Sequence, residues 1–172
     1  MLESKRLKFV NFSPDLKKDY LEYLSKDDVF TFFEFSSQST SQLNKYFEDL
    51  ISKTSEDDFF FFFIYLRKTN QCIGSFTFSI DLMRDNCEIG YLINSNFWGK
   101  GYFKESLLIA EEYMKKHLKI HRVFAITAES NKPSIHGLLN SDYKLEGILE
   151  DYYKHQRTKK RFNAALLAKI LS

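Results

Sequence analysis

Apolar and polar residues alternate from Arg6 to Phe12, the two-residue period of a half-buried strand. Ser13, Pro14 and Asp15 follow as an N-cap, a first-turn proline and an acid favoured by the helix dipole. The helix they open turns Leu16, Tyr20 and Leu24 inward. After an aromatic loop, Phe30 to Phe35, a second helix carries Leu43, Phe47, Leu50 and Ile51 at i, i+4, i+7 and i+8. Strand patterns then occupy about 59–67, 71–80 and 87–93, with turns at Lys68–Asn70 and Met83–Asn86. Such short turns predict an antiparallel meander. The clearest helix follows, with Phe103, Leu107, Ala110, Met114 and Leu118 on one stripe. A strand from Arg122 to Ala128 leads to a short helix opened by Asn131, with Pro133 in its first turn. Two last strands, about 143–153 and 161–171, enclose a basic turn at Arg157–Arg161. This order predicts one α+β domain over residues 1–172, built on a mixed sheet.

Composition adds mainly exclusions. The 172 residues carry a net charge of +2, too little to imply a nucleic-acid or anionic-membrane partner. The run Phe59–Leu66 is the most apolar stretch, but its eight residues fall far short of the roughly 20 that cross a membrane. Eighteen Phe and ten Tyr against six Gly and two Pro point to an aromatic core with few irregular loops. Cys72 and Cys87 lie alone inside strand patterns without metal-ligand spacing, so no metal is expected. Two reduced thiols and no signal-like N-terminal segment predict a cytoplasmic protein.

One stretch admits both a structural and a functional account. Asn96-Phe-Trp-Gly-Lys-Gly101 places two glycines one residue apart, where a strand passes into the long helix. Neither the Walker A pattern nor G-x-G-x-x-G fits, since Lys104 stands three after Gly101. A helix start offers unpaired N–H groups and a positive dipole end, and glycines let an anion come close. The same pair also suits a tight turn that binds nothing.

The stretch resembles the acetyl-CoA pyrophosphate loop of the GNAT acetyltransferase superfamily, [RQ]-x-x-G-x-[GA], with Asn96 in the Arg/Gln position. The likeness continues on both sides. Cys87–Ile93 resembles that family's fourth strand. Asn131–Leu139 and Tyr143–Tyr153 resemble segments of the branch that acetylates ribosomal-protein N-termini, and SKRLKF resembles its opening T-x-R-L-x-L. Two departures stand out. Asp142-Tyr143 replaces a usual Gly-Phe, and Leu138 stands where many members carry a tyrosine general acid.

The resemblance implies a GNAT-like fold, a mostly antiparallel sheet of about seven strands flanked by about four helices. It implies acetyl-CoA as donor, transfer to a primary amine by direct attack, and a homodimer as an admissible state. Backbone from Trp98, Gly99, Lys100, Gly101, Tyr102 and Phe103 would hold the pyrophosphate, Leu92 and Ile93 the pantetheine, with Asn131 beside it. Ser134 would serve the leaving thiolate. The favoured acceptor is a protein N-terminal α-amine; a polyamine, another small amine or a non-catalytic acetyl-CoA-binding module are the alternatives.

The general base is less defined. Glu88 is the first candidate, on the strand face opposite Cys87 and Ile89, with Glu150 and Asp151 next. His136 is near in sequence without an evident role. Phe33, Glu34 and Glu150 are expected on the acceptor side, Glu34 as partner to a cation. Asn131 suits plain helix capping equally well.

Overall fold

The structure, a computed structural model, describes residues 2–24, 40–154 and 158–171. Among these, β1 (Leu7–Asn11) and α1 (Lys17–Tyr23) precede α2 (Thr40–Lys53). A meander follows: β2 (Phe59–Leu66), β3 (Cys72–Asp81) and β4 (Asn86–Ile93). Then come α3 (Tyr102–Tyr113), β5 (Arg122–Ala128), α4 (Lys132–Leu139), β6 (Lys144–Lys154) and β7 (Arg161–Ile170). The seven strands form one sheet in the order β1-β2-β3-β4-β5-β7-β6, antiparallel except where β4 meets β5. The predicted α+β architecture and element order are what the chain adopts.

The unbroken apolar run of β2 is explained by burial on both faces. Phe62 and Ile64 point into a core shared with Leu107, Ala110 and Met114 of α3. Phe59, Phe61, Phe63 and Tyr65 point the other way, against Tyr20 and Tyr23 of α1 and Leu43 and Phe47 of α2. The sheet therefore separates two cores, one under α3 and one under α1 and α2. In α2 the apolar stripe is narrower than its sequence suggests: Leu43 and Phe47 are buried, whereas Ile51 is 37% exposed. Ser13 caps a short 3₁₀ turn, Pro14–Leu16, ahead of α1. No helix among the described residues is long and apolar enough to cross a membrane.

Asp142 and Tyr143, where the sequence departs from the Gly-Phe pattern, close α4. Asp142 adopts φ 67° and donates its N–H to the Leu139 carbonyl, while the Tyr143 N–H reaches Leu138. This is a left-handed helix end of the kind glycine usually makes. Tyr143 is buried beside a charged pair inside the α3 core. There Lys169 Nζ lies 2.7 Å from Glu111 Oε2 and 3.1 Å from the Ser141 carbonyl. Burial first, then the Glu111 carboxylate, push the Tyr143 phenol far above its usual range. Removing one member of this largely buried pair strands the other charge, at a cost of about 3 kcal/mol, the low end for buried pairs. Lys169→Met should therefore lower the thermal midpoint by about 10 °C, and adding Glu111→Leu should recover most of the loss. Calorimetric melting of the three proteins checks both outcomes.

Candidate active site

The site begins where two strands part. β4 pairs with β5 only through Asn86–Arg122, Cys87–Val123 and Glu88–Phe124, whereas its pairing with β3 continues to Ile93. From Ile89 to Ile93 one edge of β4 has no strand partner. The Asn94 N–H donates to the Ile73 carbonyl. Antiparallel alternation then turns the peptide groups of Leu92 toward β3 and those of Tyr91 and Ile93 toward the gap. Ile93, more than Leu92, is thus the residue whose backbone a guest could use. Its carbonyl already accepts the Trp98 indole N–H at 2.6 Å.

Beyond the gap lie the glycines. Gly99 and Gly101 hold φ of 71° and 77°, and Gly101 caps α3 from the left-handed region without a side-chain hydrogen bond. The first N–H groups of α3 therefore stay open, as an anion site requires. A cavity of about 240 Å³ connects these parts. Ile93, Trp98, Gly99, Gly101, Tyr102 and Phe103 line it from the β4–α3 side, with Leu92 alongside, and Asn131 and Ser134 from α4. Lys100 does not line it; its ammonium folds back onto the Asn96 carbonyl at 2.9 Å.

Asn131 performs the capping expected of it, Oδ1 accepting the Ser134 N–H at 3.2 Å, and both residues face the cavity. The Ser134 hydroxyl lies 2.5 Å from the Tyr91 hydroxyl. Tyr91 is a lining residue the motifs did not single out; its parity with Ile89 and Ile93 was the available signal.

Arg6 is the other. Its guanidinium holds Glu105 through Nε at 2.6 Å and Nη2 at 2.5 Å, donates Nη1 to the Lys100 carbonyl at 3.0 Å, and lies 4.5 Å from the Tyr102 ring centre. Burial opposes the Glu105 charge, but hydrogen bonds from Ser4 and Arg6 hold its carboxyl below the usual range. The arginine thus ties the glycine loop to the start of α3 and to the first strand.

A second cavity, of about 390 Å³, opens on the opposite sheet face, between α1, α2 and the meander. Tyr91 and Leu92 line both cavities, so the end of β4 is a wall common to the two. The described walls of the second are mostly aromatic and apolar, including Tyr20, Tyr23, Leu43 and Phe61, with the Asp49 carboxylate and the Lys53 ammonium among them. Gly90 forms part of its floor; a Cβ there would come within 2.5 Å of Thr77 Oγ1.

Glu88 is exposed, on the α1/α2 face as expected, but lines neither cavity. Desolvation by the surrounding chain raises its carboxyl, and Lys53 pulls the other way. Glu150 and Asp151 are exposed on β6, the outer strand, with β7 and β5 between them and β4. His136 is exposed on α4 and outside both cavities. Phe33 and Glu34 fall outside the described residues.

Residues 6–142 match the Acetyltransferase (GNAT) domain family. The chain belongs to the GNAT acetyltransferases. It is 35% identical over 92 residues to an uncharacterized N-acetyltransferase, p20, of Bacillus licheniformis, a stretch covering 53% of this chain and 52% of that protein. It is 36% identical over 66 residues to the ribosomal protein uS5-alanine N-acetyltransferase of Escherichia coli, covering 38% and 34%. The matched stretches thus span about half or less of these two relatives' lengths. The fold also matches solved structures. An acetyl transferase of Salmonella typhimurium that modifies the N-terminal serine of ribosomal protein L7/L12 superposes with a TM-score of 0.86 at 16% identity, over 98% of this chain and 97% of that one. Spermidine N-acetyltransferase of Vibrio cholerae, in complex with CoA and spermine, gives 0.82 at 14%, with the same coverage.

Two variants test the glycine loop of this GNAT protein. Gly101→Glu should abolish acetyl-CoA binding while leaving the circular dichroism unchanged. Arg6→Ala should weaken binding about tenfold, the scale of one charge-assisted hydrogen bond. Calorimetric titration reads both, and unchanged affinity in both would remove the pyrophosphate assignment.

Proposed function

We propose that this chain is an acetyl-CoA-dependent N-acetyltransferase acting on the N-terminal α-amine of a protein. The observation that carries this is the open edge of β4, which joins a helix start capped only by glycine to Ser134 and ends in a wall common to two cavities. When bound, acetyl-CoA supplies a thioester whose carbonyl an amine can attack. The N–H groups at the start of α3 bind the diphosphate, and the Ile93 N–H is placed to act on a carbonyl oxygen lying along β4. Ser134 donates to charge gathering on the leaving sulfur. Glu88 takes the amine proton through water, its raised carboxyl bringing it nearer neutral pH, where a base is most effective. Its place beyond the second cavity requires that intervening water.

An α-amine is easier than a side-chain-like primary amine to present uncharged. Its pKa lies about 2.5 units below that of lysine, worth roughly 3.4 kcal/mol. The Escherichia coli relative named for a ribosomal-protein alanine is in keeping with this reading. The free Cys72 and Cys87, their thiols pushed up to about 12 by burial, suit a reducing cytoplasm.

Thiol release from acetyl-CoA should be measured with peptides beginning in alanine or serine and, in parallel, with spermidine. Faster turnover of the peptides is the expected result. Preference for spermidine would move the protein to small amines, and tight binding without turnover of any amine would make it a binding module. Ser134→Ala should lower kcat about 10- to 100-fold with little change in affinity for acetyl-CoA. In Glu88→Gln the part of the acidic limb that does not follow the acceptor amine's own pKa should disappear from the pH–rate profile. That part arises because Glu88 is inactive once protonated, so activity falls as pH drops through its raised pKa.

A further inference from the structure

Tyr91 occupies the seam of the molecule. It lines both cavities, its ring is held 4.5 Å from Phe103 and 5.9 Å from Phe76, and its hydroxyl meets Ser134 Oγ at 2.5 Å. The Ser134 backbone is fixed separately, its N–H donated to Asn131. From the same helix no phenol reaches this point, because position 138 is a fully buried leucine.

Two hydroxyl groups hold two hydrogens between them. One hydrogen is consumed in the bond between Tyr91 and Ser134, and the other is left to point elsewhere. The contact admits either hydroxyl as donor, and the phenol, being the more acidic, is the better one. With Tyr91 donating and Ser134 accepting, the Ser134 hydrogen is left to turn into the cavity that both residues line.

We propose that Tyr91 is a positioning residue, whose hydrogen bond orients the Ser134 hydroxyl toward the sulfur of the acetyl donor. This rests on the reading that acetyl-CoA occupies the β4–α4 cavity. Burial, above all, drives the Tyr91 phenol far up in pKa, so it keeps its proton throughout and acts by orientation. The proton balance does not involve it. As the amine nitrogen bonds to the acetyl carbon, the carbon–sulfur bond breaks with its electron pair on sulfur. The amine gives one proton to solvent by way of the base, and the thiolate regains one from solvent, with the Ser134 hydroxyl bonded to it meanwhile.

The test uses free CoA isotopically labelled at the carbon bearing the thiol. Its NMR shift is followed against pH in complexes with the wild-type protein, Tyr91→Phe, Ser134→Ala and the double variant. Tyr91→Phe keeps the ring and its packing, and thermal melting checks that the fold persists. The expected result is a tenfold smaller thiolate fraction at a given pH in either single variant, with no further loss in the double. Turnover on the best amine should mirror this, kcat falling about tenfold in Tyr91→Phe while KM for acetyl-CoA holds. A Tyr91→Phe complex indistinguishable from wild type would overturn the proposal, as would two single effects that simply add. Failure of labelled CoA to bind the wild-type protein would instead overturn the assignment of the cavity, on which the role of Tyr91 depends.

Discussion

A strand whose edge has lost its neighbour is an expensive object unless something else satisfies its peptide groups. β4 is that strand. It keeps β3 along its whole length and surrenders β5 after three residue pairs. The rest of the site follows from this parting. The gap leads from the glycine turn to the start of α4, and the peptide groups of Tyr91 and Ile93 face into it. Backbone that a continuous sheet would consume is thereby left for a guest.

The sheet also divides the chemistry between its two faces. Tyr91 points to the α3 side with Cys87, Ile89 and Ile93, and with Ser134 it lines the first cavity. Glu88 lies on the α1/α2 side, where the second cavity opens. In the proposed function, donor and acceptor approach from these opposite faces toward the end of β4. Arg6 ties this arrangement to the far edge of the sheet, since its residue precedes β1 while its guanidinium holds the glycine loop and Glu105.

Much of this was legible in sequence, for identifiable reasons. The periodicities were strong, the turns short and the glycines rare, so element order and strand limits followed to within a residue or two. The glycine turn was legible because it is built from contiguous residues, Asn96 to Phe103, and needs only local geometry. What escaped depends on contacts distant in sequence. The Arg6–Glu105 pair and the Tyr91–Ser134 pair each join elements whose adjacency no local pattern encodes. Tyr143 looked like a departure from Phe, and only the buried Lys169–Glu111 pair gives its hydroxyl a setting. Ile51 fitted the α2 stripe by spacing, but lies at the helix's last turns, where the core has ended.

The bond from the Trp98 indole to the Ile93 carbonyl has a consequence for solubility as well as for the site. An unpaired strand edge is a template on which another chain's strand can add, and natural sheets blunt such edges. Here the last outward-facing acceptor of β4 is already taken by a bulky side chain from the following turn. Side-by-side assembly of copies through this edge is obstructed at its mouth, while a narrow, flexible guest can still enter between β4 and β5.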